Sequence, residues 1–267
     1  MWLLIQWTVI IIFLCLTTIP FAWLIMASFK TNIELFSNPF GLSNWTFANY
    51  AAVFSHRPMH LYFRNSIVVT IISTAVAVIA STLASYVFTY RFRAKRALYI
   101  FLIVGLFLPV NAFMTPYFFI VNWLGLYDTL WGVALVYAGI SMPLSLLVIK
   151  TYMDTIPQEI IEAARIDGAN FHQIFWNIIL PLSRPGIVTA SIFLMITAWN
   201  ELLFANLLTQ SDVNRTVQVA IRFFLTTFEA NYARAMAGTV VSILPTIVAY
   251  MFLSNRIMEG LTVGAVK

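Results

Sequence analysis

Six long stretches of this 267-residue chain contain no charged side chain. A helix needs about 20 mostly apolar residues to cross a hydrocarbon core of about 30 Å, and five of these stretches reach that length on their own. The shortest reaches it if its helix continues past Glu201 through Leu202, Leu203 and Phe204. The pattern therefore predicts six membrane-spanning helices, over residues 1–29, 66–90, 97–127, 129–149, 185–200 and 235–255.

Composition also favours a membrane protein. Only 9% of the residues are charged and 61% are hydrophobic, whereas soluble domains carry about a quarter charged residues. Runs this continuous exclude an outer-membrane barrel, whose strands alternate over about ten residues. We therefore predict an all-α integral membrane protein in which residues 1–267 form a single transmembrane domain. The first stretch lacks a basic leading segment, which favours an uncleaved span over a signal peptide. The lone Cys15 cannot form an internal disulfide or a cysteine zinc cluster.

Basic residues set the orientation of the predicted spans. Arg91, Arg93, Lys95 and Arg96 lie between the second and third stretches, and short loops rich in Lys and Arg face the cytoplasm. Since the basic excess is explained by topology beside membrane lipid, no nucleic-acid partner is predicted. Alternation then predicts both termini in the cytoplasm, external loops at 30–64 and 206–234, an internal loop at 151–185 and a cytoplasmic tail at 256–267.

The internal loop contains two helix start signals. Thr155 with Gln158 has the spacing of a capping box, and Gly168 predicts the end of the helix that follows. Asn170 with Gln173 predicts a second start immediately afterwards. Apolar residues recur at spacings of three and four in both helices, so both are amphipathic. Such a pair fits a position in the lipid headgroup region and a docking knob for a partner's groove equally well.

The same loop carries a more specific pattern. Glu162-Ala163-Ala164 is followed four residues later by Gly168, and nine further residues separate Gly168 from Ile178-x-Leu180-Pro181. The pattern resembles the EAA motif of the permease subunits of ABC importers that depend on a binding protein. Segment 45–50, Trp199-Asn200-Glu201 and the tail 260–267 are similar to the carbohydrate branch of that family.

The resemblance implies partners for the chain. In this family the EAA helices dock into a cleft on a cytoplasmic ATP-binding subunit, so we call residues 151–185 the coupling elbow. The resemblance also implies a dimer of those ATP-binding subunits, a second homologous permease subunit and an extracytoplasmic sugar-binding protein. The residues implied to couple to the ATPase are Glu162, Ala163, Ala164, Asp167, Gly168, Phe175, Ile178, Leu180 and Pro181.

The resemblance also implies roles for two further segments. The external loop 206–234 corresponds to a loop that reaches into the binding protein, although a helix lying on the membrane over 217–225 fits it equally well. The tail is similar to one that reaches towards the ATPase dimer interface, and a frayed end is the alternative. The tail positions concerned are Gly260, Leu261, Thr262, Gly264, Val266 and Lys267.

Polar groups inside the predicted spans indicate a candidate substrate path. Such groups are costly in a bilayer and face a cavity or a partner helix. An aromatic ring beside two polar groups at 199–201 can stack on a sugar and bond its hydroxyls. Alternatively, Trp anchors at the membrane interface, and Asn or Glu bonds a neighbouring helix. The candidates are Asn111, Thr115, Asn122, Trp199, Asn200 and Glu201.

Prolines and histidines complete the candidate residues. Pro109 and Pro116 can kink the third span. His56 and His60 are four residues apart but have no third ligand nearby, so they are expected to be solvated and no metal site is predicted. His172 is expected to face water. No cofactor is predicted.

The sequence thus favours a permease subunit of a binding-protein-dependent ABC importer in a prokaryotic inner or plasma membrane. It is expected to form half of the path for a sugar by ATP-driven alternating access. Because GxxxxGK[ST] is missing from the chain, ATP hydrolysis is assigned to a separate subunit and the chain itself is predicted not to be an enzyme. The alternatives are an ABC permease for a non-sugar solute, a secondary transporter and a membrane-embedded enzyme.

Overall fold

The computed structural model describes residues 2–41, 45–55, 58–225 and 230–262, with side chains described up to residue 251. Over these residues the chain forms helices joined by turns, and no strand occurs, which confirms the all-α prediction. Short 3₁₀ turns and one π-helical turn, Phe175–Ile179, lie between the α-helices. The α-helices are α1 (Trp2–Ser28), α2 (Asn32–Ser37), α3 (Ala48–Ser55), α4 (Met59–Val87), α5 (Lys95–Val104), α6 (Met114–Trp123), α7 (Leu130–Met153), α8 (Gln158–Ile166), α9 (Phe171–Ile174), α10 (Leu180–Leu182), α11 (Arg184–Asn200), α12 (Leu203–Leu208), α13 (Val217–Arg222) and α14 (Tyr232–Thr262).

Four helices in the described part of the chain are long and apolar enough to cross a membrane. They correspond to the first, second, fourth and sixth predicted spans. Counting each of two bent helix pairs as one span brings the number up to six. The pairs are Lys95–Phe107 with Val110–Trp123, bent by 98°, and Phe171–Leu182 with Arg184–Asn200, bent by 69°.

The third predicted span is broken at a proline. Pro109 has an extended backbone with ψ 98°, and Leu108 before it has ψ 135°. A proline lacks the N–H that continues a helix and disfavours helical geometry at the preceding residue, which explains the break. Pro116 lies in the first turn of α6, where backbone N–H groups have no helical partner in any case. Of the two prolines, therefore, Pro109 lies at the bend.

The fifth predicted span ends earlier than expected. Helix α11 has 17 residues and stops at Asn200, and α12 begins at Leu203. The prediction that one helix continues past Glu201 through Leu202, Leu203 and Phe204 is wrong. Glu201 has an extended backbone, and its carboxylate accepts hydrogen bonds from the backbone N–H groups of Phe204 (3.0 Å) and Ala205 (3.1 Å). The acidic side chain therefore caps a new helix instead of continuing the old one.

The Cα positions divide the chain into two units, which are described separately. The first unit comprises residues 1–63 and 216–247. Its largest buried cluster joins α3, the start of α4, α13 and α14 through Val53, Tyr62 and Ile221 among others. Lys30 is fully buried in this unit, and its Nζ donates to the backbone carbonyls of Asn38 (2.7 Å) and Pro39 (3.1 Å). The long apolar helix α1 is mostly exposed.

The second unit comprises residues 64–215 and 248–267. Its core joins α4, α7, α8, the π-helical turn and α11, and it includes Tyr86, Ile161 and Phe175. Helices α7 and α11 approach closely at Gly186, where a Cβ would lie 2.5 Å from the Cβ of Tyr152. The coupling elbow therefore belongs to the same packed core as the helices of this unit.

Candidate functional site

The turn at the centre of the coupling elbow is set by Gly168. Helix α8 ends at Ile166, and Gly168 then adopts φ +82°, in the left-handed region. Its N–H donates to the carbonyl of Arg165 (3.0 Å), and the N–H of Ala169 donates to the carbonyl of Ala164 (2.9 Å). This pair of bonds is the Schellman motif, which explains why glycine occupies the position. The helix end predicted at Gly168 is confirmed.

A helix follows each of the two predicted start signals, but only one of the two predicted caps forms. Asn170 Oδ1 accepts from the N–H of Gln173 (3.0 Å), and Gln173 Oε1 accepts from the N–H of Asn170 (2.8 Å), forming a complete capping box. Thr155 does not cap α8, because that helix begins after Pro157 without a side-chain cap. The Thr155 hydroxyl instead donates to the carbonyl of Tyr152 (2.8 Å) at the end of α7. A threonine hydroxyl donates to a nearby backbone carbonyl as readily as it accepts from a backbone N–H at an N-cap position.

The structure separates the nine candidate coupling residues into an outer and an inner group. Glu162, Ala163, Asp167, Gly168 and Pro181 are exposed. The inner group lies in the core or packs against it and consists of Ala164, Phe175, Ile178 and Leu180. An exposed face therefore stands on a buried base, the arrangement that a rigid docking surface needs.

Sequence reasoning did not select two exposed apolar residues on the elbow. Ile166 is 87% exposed and Trp176 is 61% exposed. Both flank the predicted docking residues in sequence. A periodicity argument assigns such residues to a buried helix face, so exposure of this kind is visible only in the structure. His172 is also exposed, as expected.

An aromatic joint connects the elbow to the end of α4. Tyr86 is buried, and its hydroxyl donates to the carbonyl of Phe171 (2.8 Å) and lies 2.6 Å from the hydroxyl of Tyr90. The Tyr86 ring lies 4.6 Å from the Phe171 ring and 5.0 Å from the Phe175 ring. The guanidinium of Arg165 stacks over Tyr90 at 5.1 Å, within cation–π range. We call Tyr86, Tyr90, Arg165, Phe171 and Phe175 the aromatic joint.

The joint was not predicted from sequence. Tyr86 and Tyr90 end a predicted span, where tyrosine is expected as an interface anchor. Their four-residue spacing places both rings on one helix face, and this is the only sequence signal for the joint. Because the elbow residues they contact lie about 80 positions later, the contact depends on tertiary packing.

Residues 199–201, the predicted candidates for sugar contact, make contacts within the protein. Trp199 is 8% exposed, and the Asn200 amide donates to the carbonyl of Ile196 (2.8 Å) in its own helix. The Glu201 carboxylate caps α12, and its backbone carbonyl accepts from the hydroxyl of Tyr137 (3.2 Å). The three residues therefore have different surroundings, and Glu201 is the one whose bonds hold the start of α12.

The other path candidates lie on the bent third span. Asn111, Thr115 and Asn122 are exposed; Thr115 and Asn122 lie seven residues apart in α6, close to one helix face, and Asn111 lies in the 3₁₀ turn before that helix. A cavity of about 220 Å³ lies beside the bend, where it is lined by Val110, Phe113 and other residues of this span and of α7. Irregular backbone at membrane depth is tolerated where it lines a cavity. The cavity therefore accounts for the irregular backbone at the bend, but Asn111, Thr115 and Asn122 do not line it.

Asp128 holds the first part of the loop 206–234, which is predicted to be external. Its carboxylate accepts from the backbone N–H groups of Gln210 (2.9 Å) and Ser211 (3.0 Å), and its own N–H donates to the carbonyl of Leu208 (2.9 Å). Burial alone would raise the pKa of this carboxyl, but hydrogen bonds from Ser211, Gln210 and Asn214 together lower it below its usual value. Asp128 was not selected from sequence.

The second part of that loop is buried in the first unit. Val217, Val219, Ala220 and Ile221 of α13 are all buried. An amphipathic helix lying on the membrane would keep its apolar face exposed to lipid, so this burial disfavours the membrane-lying alternative for 217–225.

The tail residues can be placed only in part. Gly260, Leu261 and Thr262 continue α14 as backbone. Gly264, Val266 and Lys267 lie outside the described residues, as does His56. His60 is exposed.

Comparison with known proteins gives a consistent result. The family model for the inner membrane component of binding-protein-dependent transport systems matches residues 73–259. The chain is 34% identical over 252 residues to the trehalose transport system permease protein SugB of Mycobacterium tuberculosis, covering 93% of this chain and 92% of that protein. It is 32% identical over 270 residues to the trehalose/maltose transport system permease protein MalG of Thermococcus litoralis, covering 99% and 96% respectively.

A solved structure has the same fold. A chain from the crystal structure of a bacterial ABC transporter involved in the import of the acidic polysaccharide alginate superposes with a TM-score of 0.81. The two chains are 22% identical, and the match covers 94% of this chain and 95% of the other. This chain therefore shares its helical fold with a chain of a solved ABC transporter.

Proposed function

Since this chain belongs to the family of inner membrane components of binding-protein-dependent transport systems, we propose that it forms half of a translocation path for a carbohydrate. It is a multi-pass membrane protein and a transport subunit of an ABC importer, not an enzyme. The carbohydrate class is inferred from relatives named for trehalose and maltose transport. A second homologous permease would supply the other half, and a dimer of ATP-binding subunits would supply the energy.

The observation that carries the proposal is the coupling elbow. Its exposed residues, including Glu162 and Asp167, stand on a base that is packed into the core of the second unit. A soft loop would absorb the movement of a partner, whereas interlocked side chains in a close-packed core pass it on. We infer that the exposed face docks into the ATP-binding subunit.

Two connections lead from the elbow into the helices of the second unit. The segment Phe171–Leu182 continues into α11 after a bend of 69°. The aromatic joint connects the same segment to the end of α4 through the Tyr86 hydroxyl and through tilted contacts of the Tyr86 ring with two rings of the elbow. We infer that closure of the ATPase dimer moves α4 and α11 together, which changes access to the path.

The substrate path is assigned to the bent third span. Asn111, Thr115 and Asn122 offer amide and hydroxyl groups that match sugar hydroxyls, and Phe113 supplies an aromatic face beside the cavity. Glu201 is given a positioning role, because its carboxylate is already bonded to backbone N–H groups.

The proposed topology has six spans, with each bent pair counted as one. The elbow and both termini then lie in the cytoplasm, and the loops 30–64 and 206–234 face the binding protein outside. Cysteines introduced into a Cys15→Ser background test this: Val213→Cys should react with an impermeant maleimide in intact cells, and Glu159→Cys only after permeabilisation. The reverse pattern would refute the orientation.

Transport by the purified complex tests the function. The complex isolated through a tag on this chain is reconstituted in liposomes, with ATP inside and the binding protein outside. Uptake of a radiolabelled disaccharide and oligosaccharide panel should require both ATP and the binding protein. Uptake driven by an ion gradient without ATP would reject the ABC mechanism. ATP-dependent uptake of amino acids but not of sugars would reject only the substrate class.

A further inference from the structure

A large cavity lies between the segment that follows α4, the first part of α5 and the end of α7. Its volume is about 820 Å³, within the range of about 300–1,000 Å³ typical of small-molecule sites. It is lined by Phe88 and Phe92 after α4, by Lys95 and Arg96 at the start of α5, and by Lys150 near the end of α7, among others. None of the nine candidate coupling residues lines it.

The cavity lies at a boundary between membrane and water. Helix α4 is apolar up to Val87, α5 is apolar after Arg96, and α7 is apolar up to Lys150. Three membrane helices therefore reach their charged ends around the same space. Charged residues at helix ends of this kind mark the headgroup region of a bilayer.

The cavity carries an excess of positive charge. Its lining contains three cations and one carboxylate, a formal charge of +2. The buried Lys150 is paired with Asp154. Lys95 and Arg96 belong to neither of the two ion pairs that the described residues form, Lys150–Asp154 and Arg215–Asp212. Two cations are thus available for an anion, and phosphate oxygens suit both types of side chain.

The remaining wall is apolar and extends along the membrane. The Phe88 ring contacts the Tyr99 ring at 5.5 Å and the Phe92 ring at 5.9 Å. Ile100 lines the cavity and is 50% exposed, and Phe101 beside it is 76% exposed on the same apolar helix. A soluble anion is not stabilised by an apolar wall, whereas the acyl chains of a lipid are.

We propose that this cavity binds the headgroup of an anionic phospholipid, with the phosphate on Lys95 and Arg96 and an acyl chain along α5. Basic pockets between membrane helices are suited to such headgroups. The bound lipid would fill the space between α5 and the end of α7, next to the segment of α4 that the elbow contacts. The inference needs only the membrane boundary, and not the transport function proposed above.

Native mass spectrometry of the purified full-length chain tests the site. Phosphatidylglycerol and phosphatidylcholine are titrated separately onto the detergent-solubilised protein. The double variant Lys95→Gln/Arg96→Gln should bind phosphatidylglycerol about 30-fold more weakly, which corresponds to about 1 kcal/mol for each of two cations. The matched control Arg91→Gln/Arg93→Gln removes the same charge from residues that do not line the cavity and should change binding less than threefold.

A second variant tests whether the lipid needs the space in the cavity, with the charge left unchanged. Ala97 lines the cavity and is exposed, so Ala97→Trp should place a bulky ring in it beside Lys95 and Arg96 and weaken phosphatidylglycerol binding at least tenfold with no change in charge.

Four results would overturn the proposal. They are equal loss in the two double variants, unchanged binding in Ala97→Trp, equal binding of phosphatidylcholine, and displacement of the lipid by millimolar inorganic phosphate, which would indicate a soluble-anion site. Because no ATP, sugar or partner subunit is present, these results do not depend on the outcome of the transport assay.

Discussion

The conformation of Gly168 leads to a quantitative prediction about coupling. The residue has φ +82°, and a Cβ built on it would meet no atom within 4 Å apart from its chain neighbours. A substitution here therefore causes backbone strain without a steric clash inside the chain. An L-residue in the left-handed conformation costs about 1–2 kcal/mol, whereas asparagine tolerates it. Gly168→Val should thus disfavour the native turn by about 2 kcal/mol, and Gly168→Asn by only a few tenths.

A cost of about 2 kcal/mol changes the population of the turn about 30-fold. The buried base of the elbow, including Ile161 and Ile174, does not depend on this residue. We therefore expect the Gly168→Val protein to insert and fold normally. In reconstituted liposomes its ATP-driven uptake should fall at least tenfold, and stimulation of ATPase activity by the binding protein should be lost. The Gly168→Asn protein should stay within about threefold of wild type in both assays.

The chain contains a matched control for backbone strain. Gly125 also has positive φ, at +69°, and also has open space around its Cβ. It follows α6 at the opposite end of the predicted spans. Gly125→Val should lower thermal stability by a similar amount and leave ATPase stimulation intact.

Two outcomes would contradict this reasoning about Gly168. Wild-type uptake by Gly168→Val would show that the turn does not position the docking face. A Gly168→Asn protein as defective as Gly168→Val would show that the partner needs the missing side chain, and not the backbone conformation, at this position.

Three further substitutions test individual contacts of the second unit. Tyr86→Phe removes the hydrogen bond to the elbow carbonyl and should reduce uptake several-fold with little change in the thermal midpoint, since the ring contacts remain; equal losses in both would indicate a purely structural role. Asp128→Ala removes the acceptor of two backbone N–H groups and should cost about 1 kcal/mol in thermal unfolding at pH 7, more than Asp212→Ala in the exposed ion pair. Because the folded pKa of Asp128 is lowered, its stabilisation is present above about pH 4 and disappears as the pH falls through the folded pKa, so the two proteins should converge in acid. Gly186→Ala places a Cβ 2.5 Å from a tyrosine on α7 and should cost about 1–3 kcal/mol, whereas Gly139→Ala, with open space, should be neutral or stabilising in the same unfolding measurement.

Local signals in the sequence predicted some elements well and others poorly. The capping box of Asn170 and Gln173 and the turn at Gly168 are confirmed, because both depend on bonds within a few residues. The predictions for Thr155 and Glu201 also used only local signals, and both were wrong. Each side chain has more than one local backbone group to bond, and packing decides which one it takes.

The chain's helical class and membrane environment were determined by sequence alone. Apolar stretches without charge have one favourable solvent, and in that solvent the backbone has to satisfy its own hydrogen bonds, which a helix does. The left-handed turn of the elbow follows from sequence too, since glycine is the residue that adopts it at least cost.

Tertiary structure decided how the elbow is used. Packing between residues far apart in the chain decides which elbow residues face outward and which join the core. It also decides that Tyr86 bonds the carbonyl of Phe171. The cavity beside Lys95 and Arg96 likewise exists only because the start of α5 and the end of α7 meet in space. Composition and periodicity describe one segment at a time, whereas a docking face or a cavity requires several segments to meet in three dimensions.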